Sequence, residues 1–198
     1  MDLDVAYFKF LDHELEGSHV RFSYARYLPT ENPDGSWTPG PWLPAVEGDL
    51  ELCANGYHYC RLPDLLQWAD ARLYLVEPGT EFLDGDDKSC SRTIRLLRPV
   101  EAWNDQTARL FACDCAEHVL PVIEKVDPQA AEVARRTIEV ARRFARGETT
   151  RKELDAARAA AGDAARAAAG AAARAAARAA EQQWQLNRLQ EYLRGDAT

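Results

Sequence analysis

No run of about 18 consecutive apolar residues occurs in this sequence, which excludes a membrane-spanning helix. Its start, Met1-Asp-Leu-Asp4, has no basic region followed by an apolar run, so no secretory signal is expected. Walker loops, dinucleotide glycine fingerprints, nucleophile elbows and H-E-x-x-H motifs are all missing. Their absence removes the usual sequence signs of nucleotide, acyl-transfer and zinc-protease chemistry. Five cysteines are present, an odd number, in a chain of 198 residues that is long enough to bury a core without covalent staples. Reduced thiols in a bacterial-type cytoplasm are therefore expected. Basic side chains are scarce in one half only. Residues 1–100 hold 17 acidic and 9 basic residues, whereas residues 101–198 balance to zero. An acidic surface repels phosphates, which argues against nucleic acid or an anionic membrane as partner and suits a basic protein.

What is present divides into two stretches of different character. Residues 5–12 and 20–27 read as strands, and the proline-rich segment 29–44 reads as a long loop pinned by Trp37 and Trp42. A short strand over 49–53 leads into a turn at Gly56 and a second strand through Cys60. Leu62 to Ala69 suit a short helix with Pro63 in its first turn. Leu73 to Glu77 form a strand ended by Pro78-Gly79, and Thr93 to Val100 a last strand beyond the acidic loop Asp84–Asp87. The expected fold class is α+β: a mostly antiparallel module over 1–103, then an all-helical, alanine-rich region over 104–198.

In the second stretch Asp105 is a candidate cap for a helix to about Val126, which Pro121 should kink or divide. Asp127-Pro128 opens the next helix, with Ala131, Val133, Ala134, Ile138, Ala141 and Phe144 on its apolar side and Gly147 at its end. Thr150-x-x-Glu153 is a capping box for a final segment to about Leu193. Within it Ala-Ala-Arg-Ala-Ala-Ala-Gly begins at 156 and again at 164, and a third copy at 172 ends in Arg178. Eight residues turn a helix through about 800°, so successive arginines step about 80° around the axis and hold no fixed seam. The repeat reads as a low-complexity expansion or as a close-packing helix, with Gly162 and Gly170 as candidate bends. Leu186, Leu189 and Leu193 then form a stripe beside Trp184 and Tyr192. It suits docking on the rest of the chain or a homodimer through the carboxy-terminal helices.

Chemistry has two candidate locations. In Cys53-Ala-Asn-Gly-Tyr-His-Tyr-Cys60, strand alternation puts His58 and Cys60 on one side and Tyr57 and Tyr59 on the other. Tyr57, His58 and Tyr59 are candidates to bind a ligand. Cys53, His58 and Cys60 are candidate metal ligands, although the spacing is not that of a zinc knuckle and buried core cysteines are the plainer reading. In Cys113-Asp-Cys-Ala-Glu-His118, a thiol and an imidazole share a helix face, yet no oxyanion donor or orienting group accompanies them. The plainer reading packs Cys113 and Cys115 inside and pairs Asp114 with His118 outside. No cofactor is implied, and Trp37 and Trp42 are candidate anchors for a protein partner.

Three resemblances rest on these residues. Asp114-Cys-Ala-Glu-His-Val-Leu-Pro121, Asp127-Pro128, Ala141-Arg-Arg-Phe-Ala-Arg-Gly147 and the alanine repeats resemble the alanine-rich domain of bacterial immunity proteins, over residues 113–178. The histidines common among such alanines are missing here. Tyr7 to Trp103 is similar to a small uncharacterised domain of phage and bacterial proteins. Its shared core is Gly56-Tyr-His-Tyr-Cys60, a short helix and Leu73-Tyr-Leu-Val-Glu-Pro-Gly79. The order of glycine-aromatic strand, helix and strand also resembles the centre of the ADP-ribosyltransferase fold, where such a strand borders the NAD cleft. The first resemblance implies a nonenzymatic, cytoplasmic protein that binds and neutralises a protein partner, such as a basic toxin. The third implies an NAD-binding enzyme, and the repeats alone imply a structural or self-assembling protein. The missing catalytic motifs favour the first.

Overall fold

The structure is a computed structural model of the chain, describing residues 3–17, 22–168 and 175–197, without the side chains of Asp4 and of 160–180. The chain forms two compact units, Met1–Trp103 and Asn104–Thr198. The first is built on antiparallel sheets and the second on helices, an α+β fold.

In the first unit β1 (Tyr7–Leu11), β5 (Arg72–Pro78) and β8 (Ile94–Pro99) form an antiparallel sheet in the order β1-β5-β8. Pairing runs from Tyr7 opposite Val76 to Leu11 opposite Arg72, and a bulge at Leu75/Val76 shifts the register against β8. A second sheet has the order β4-β7-β6, from β4 (Tyr57–Tyr59), β6 (Phe82–Asp84) and β7 (Ser89–Ser91). The two meet where Phe8 and Cys60 exchange backbone hydrogen bonds of 2.9 Å each. β1 thus meets a backbone partner along both edges, and its residues from Phe8 to Leu11 are all buried. β2 (Thr30–Glu31) and β3 (Trp37–Thr38) make a small hairpin, and α1 (Leu65–Trp68) follows a tight turn that begins at Leu62-Pro63. The shared core joins Leu11, Tyr24, Leu43, Tyr57, Tyr59, Val76, Ile94 and Leu96.

Several expectations need correction in this unit. Residues 22–27 are not a strand. Ser23 only bridges Glu16, Tyr27 N–H turns back to the Tyr24 carbonyl, and Tyr24 enters the core. The rest of that expected strand, 20–21, lies outside the described residues. Residues 49–53 are a tight turn instead, because Cys53 takes φ +69° and Asn55 Nδ2 donates to the carbonyls of Glu47 and Asp49. The 29–44 segment is pinned, but not by its tryptophans. Leu43 is buried, and the Gly40 and Leu43 amides donate to the Leu96 and Ile94 carbonyls of β8. A Cβ on Gly40 would stand 2.1 Å from the Tyr27 carbonyl oxygen, so only glycine lets the two backbones approach. The acidic loop also begins with a strand not foreseen, β6.

The second unit holds α2 (Asp105–Glu124), α3 (Pro128–Ala145), α4 (Arg151–Ala168) and α5 (Ala175–Arg194). Asn104, not Asp105, caps α2: its Oδ1 accepts from the amides of Gln106 and Thr107 at 3.0 and 3.1 Å. Pro121 does not divide α2. It lies one turn from the helix end, and it and Glu117, whose carbonyl loses its partner, are both exposed, so water can serve that oxygen. Cys113, Leu120 and Ile138 join α2 to α3, with Ala116, Ala134 and Ala141 packed around them. Asp127 Oδ1 accepts from the Ala130 amide to cap α3, and the Thr150 amide donates to Glu153 Oε2 at 2.8 Å ahead of α4. α4 lies against α3, where Thr137 Oγ1 donates to the Ala157 carbonyl at 3.2 Å. It continues through Gly162 without a break. Gly170 and the start of the third repeat copy lie outside the described residues.

α5 docks on α2, burying Leu189, Tyr192 and Leu193. Arg142 near the end of α3 and Arg188 of α5 both reach Asp114. One straight helix from Arg151 to Arg188 would separate its ends by about 55 Å. Both arginines could not then meet one carboxylate, so α4 and α5 are separate helices rather than one rod.

Candidate functional site

The first unit has a partly open cavity of about 200 Å³ between β1, β4 and the segments around them. Its walls include Phe8, Phe10, Tyr24, Tyr57 and Trp68, and the amines of Lys9 and Lys88 stand among them. β1 is the end strand of its sheet, with one further bridge from Phe8 to Cys60, and strand alternation decides where Lys9 points. It shares the face of Tyr7 and Leu11, which belongs to the core. Lys9 is only 9% exposed. Its Nζ donates to the His58 carbonyl at 2.8 Å and lies 5.1 Å from the centre of the Tyr24 ring. Burial lowers the amine from 10.5 to about 8, only partly opposed by the Cys60 thiol beside it. Among the described residues no carboxylate pairs with it.

The expected site residues take distinct places around this cavity. Tyr57 and Tyr59 are core residues. Tyr57 donates to the Pro44 carbonyl at 2.9 Å and packs edge-on against Phe22, and Tyr59 does the same against Tyr7. Burial raises both phenols, that of Tyr59 to about 12. His58 sits half-buried between them on β4, and its Nε2 accepts the Cys53 amide at 2.8 Å. That bond fixes the neutral imidazole with its proton on Nδ1. Cys53 itself is exposed at the turn, whereas Cys60 is buried and its thiol is pushed up to about 12. The structure does not assemble Cys53, His58 and Cys60 as a ligand set: among the described residues, no three His, Cys, Asp or Glu side chains gather to hold a metal ion.

Gly56 makes the approach of β4 to β7 possible. It has φ +137°, and a Cβ there would stand 3.1 Å from both Cβ and Sγ of Cys90. Lys88 closes one side of the cavity, 4.7 Å from the centre of the Trp68 ring, and is already paired with Asp87 at 3.2 Å. Lys9 is the residue that sequence reasoning missed. The signal was a single cation inside Tyr-Phe-Lys-Phe-Leu, on the same strand face as two core residues.

Trp37 and Trp42 lie away from this cavity. Trp37 is half-buried on β3 opposite Glu31. Trp42 is 42% exposed, with the Arg95 guanidinium 4.9 Å over its ring. β6 is an edge strand with all three residues exposed, Phe82 by 50%. Glu81, Asp84, Asp86 and Asp87 flank its apolar pair, Phe82 and Leu83, along the chain.

In the second unit Asp114 is the centre of the polar chemistry, but not with His118 as expected. It accepts from Arg142 at 2.6 Å, Arg188 at 2.8 Å and the Tyr192 hydroxyl at 2.8 Å. Burial opposes its charge, yet these three donors together hold the carboxyl below the ordinary carboxylate range. His118 instead stacks flat on Trp184, with ring centres 3.7 Å apart, and faces Glu181 at 3.4 Å. Cys113 is buried and Cys115 half-buried, and burial raises both thiols, that of Cys115 to about 11. Such thiols stay protonated, and Asp114 is spent on holding three helices together. The arrangement is structural.

The chain is thus a two-unit α+β protein, with an aromatic cavity in one unit and an ion-locked helical bundle in the other. Residues 98–190, which contain Asp114, Arg142 and Arg188, match the model of the family described as Imm-5 like putative immunity protein. No curated protein and no solved structure matches the chain. No helix among the described residues is long and apolar enough to cross a membrane.

Proposed function

We propose that this protein is a nonenzymatic, cytoplasmic interaction protein of the bacterial immunity or phage-conflict type, which binds a protein partner and neutralises it. The observation that carries the reading is the family match over residues 98–190. The charge of the first unit supports a basic partner, since its 17 acidic residues face only 9 basic ones over residues 1–100. Trp42 and Phe82 are the anchors best suited to such a partner: large, exposed and set among charges that would form a polar rim. Trp37 would contribute beside Trp42. The high thiol values and the commitment of Asp114 to structure also fit a protein that acts by binding.

The test pairs this protein with the product of the adjacent gene. Co-expression should relieve growth arrest caused by that product, and the two should co-purify at low salt and separate as salt rises. Trp42→Ala and Phe82→Ser together should weaken capture at least tenfold while both units stay folded. No co-purification and no protection by the folded wild-type protein would overturn the reading.

A further inference from the structure

We infer that the cavity around Lys9 is a binding site for a small apolar carboxylate, one aromatic ring or its equivalent carrying a single negative charge. Size sets the first limit. A cavity of about 150 Å³ accommodates benzene, so about 200 Å³ takes one ring and a short polar group. Sites that enclose drug-sized ligands start near 300 Å³, and a dinucleotide is larger still. The walls set the second limit: Tyr24, Tyr57 and Trp68 are aromatic and Phe8 and Phe10 add apolar lining, which suits a flat apolar body.

Charge sets the third. Among the described residues, Lys9 is the uncompensated cation of the cavity, because Lys88 already pairs with Asp87. An ammonium has three donors, and the His58 carbonyl takes one. A bound carboxylate would accept from the others and supply the counter-charge that the protein itself does not place there. A dianion such as a phosphate ester would bring a second charge with no described cation free to meet it, since Lys88 is held by Asp87. The cavity therefore selects one negative charge rather than two. This inference is independent of the immunity reading, because all of its residues belong to the first unit and none lies in the family match.

The experiment uses the whole chain and three probes of the same size: benzoate, benzamide and phenyl phosphate. Binding is followed by calorimetry and by the fluorescence of Trp68, which lines the cavity. Benzoate should bind saturably, at least tenfold more tightly than either benzamide or phenyl phosphate. Lys9→Met should remove the preference for benzoate over benzamide. Equal binding of benzoate and benzamide to the wild-type protein, or no saturable binding of benzoate, would overturn the proposal without recourse to any variant. Unchanged benzoate affinity in a folded Lys9→Met protein would overturn it as well.

Discussion

Lys9→Met should make the ligand-free protein more stable at neutral pH, although it removes a hydrogen bond and a charge. Methionine keeps the length and apolar stem of lysine, so the packing of β1 is preserved. Burial lowers the Lys9 amine from 10.5 to about 8. Each unit is worth about 1.4 kcal/mol, so keeping this amine charged inside the fold costs about 3 kcal/mol. Loss of the bond to the His58 carbonyl returns about 1 kcal/mol of that. The variant should therefore gain about 2 kcal/mol at pH 7.

The sign of the pH dependence follows from which state holds the proton. Between about 8 and 10.5 the unfolded chain keeps the proton and the folded one releases it, so the wild-type protein recovers stability as pH rises. Below about 8 the full penalty is present. The gain from Lys9→Met should thus be flat up to about pH 8, shrink above it, change sign at about pH 10, and leave only the lost hydrogen bond above about pH 10.5. Cys60, the titratable neighbour of Lys9, is raised to about 12 and stays neutral throughout. The other thiols and phenols act equally on both proteins and cancel in the difference. Urea unfolding followed by tryptophan fluorescence reads this unit, since Trp37, Trp42, Trp68 and Trp103 belong to it and only Trp184 does not. A variant less stable than wild type at pH 7, or a difference that does not move with pH, would refute the reasoning.

Asp114→Asn should destabilise the helical unit by about 2 kcal/mol, because two half-buried arginines lose their shared anion. Its carboxyl is held low in the fold, so the wild-type advantage is complete above the unfolded value and disappears as pH falls through the folded one. Helical circular dichroism during acid titration should show the variant's flatter profile. Gly56→Ala should cost more than about 1 kcal/mol, through its positive φ and the contact with Cys90, as a lower urea midpoint of the first unit. Thr150→Ala should cost about 1 kcal/mol by removing the side-chain half of the cap on α4, seen as a lower melting temperature of the helical signal.

Local chemistry made much of the architecture legible. The strands around Phe8, Leu75 and Leu96 announced themselves by apolar and β-branched runs, and the starts of α3 and α4 by Asp127-Pro128 and Thr150-x-x-Glu153. What failed was what tertiary context decides. Phe22, Tyr24 and Tyr27 have strand-forming side chains, yet they fold as a turn because Tyr24 completes an aromatic cluster with residues far along the chain. Phe82-Leu83-Asp84 is too short and too exposed to stand out, and it is a strand only because β7 offers an edge. Pro121 misled because a rule for helix interiors was applied one turn from a helix end. At the cavity the sequence drew attention to His58, whose carbonyl rather than its ring meets the buried amine, and passed over Lys9. A residue's partners 49 positions away cannot be read from its own spacing.

The lock at Asp114 also has a timetable. Arg142 follows it by 28 residues and Tyr192 by 78. At roughly 5–20 residues per second a ribosome delivers the first partner within about 6 s and the last after about 4–16 s. During that interval α2, α3 and α4 can already assemble, but the strip of α2 that α5 will cover stays open, with one carboxylate half-satisfied in its middle. Closure of the bundle is thus the last step in building this lock. A chain cut before Arg188 would leave the ribosome with its seam unsealed.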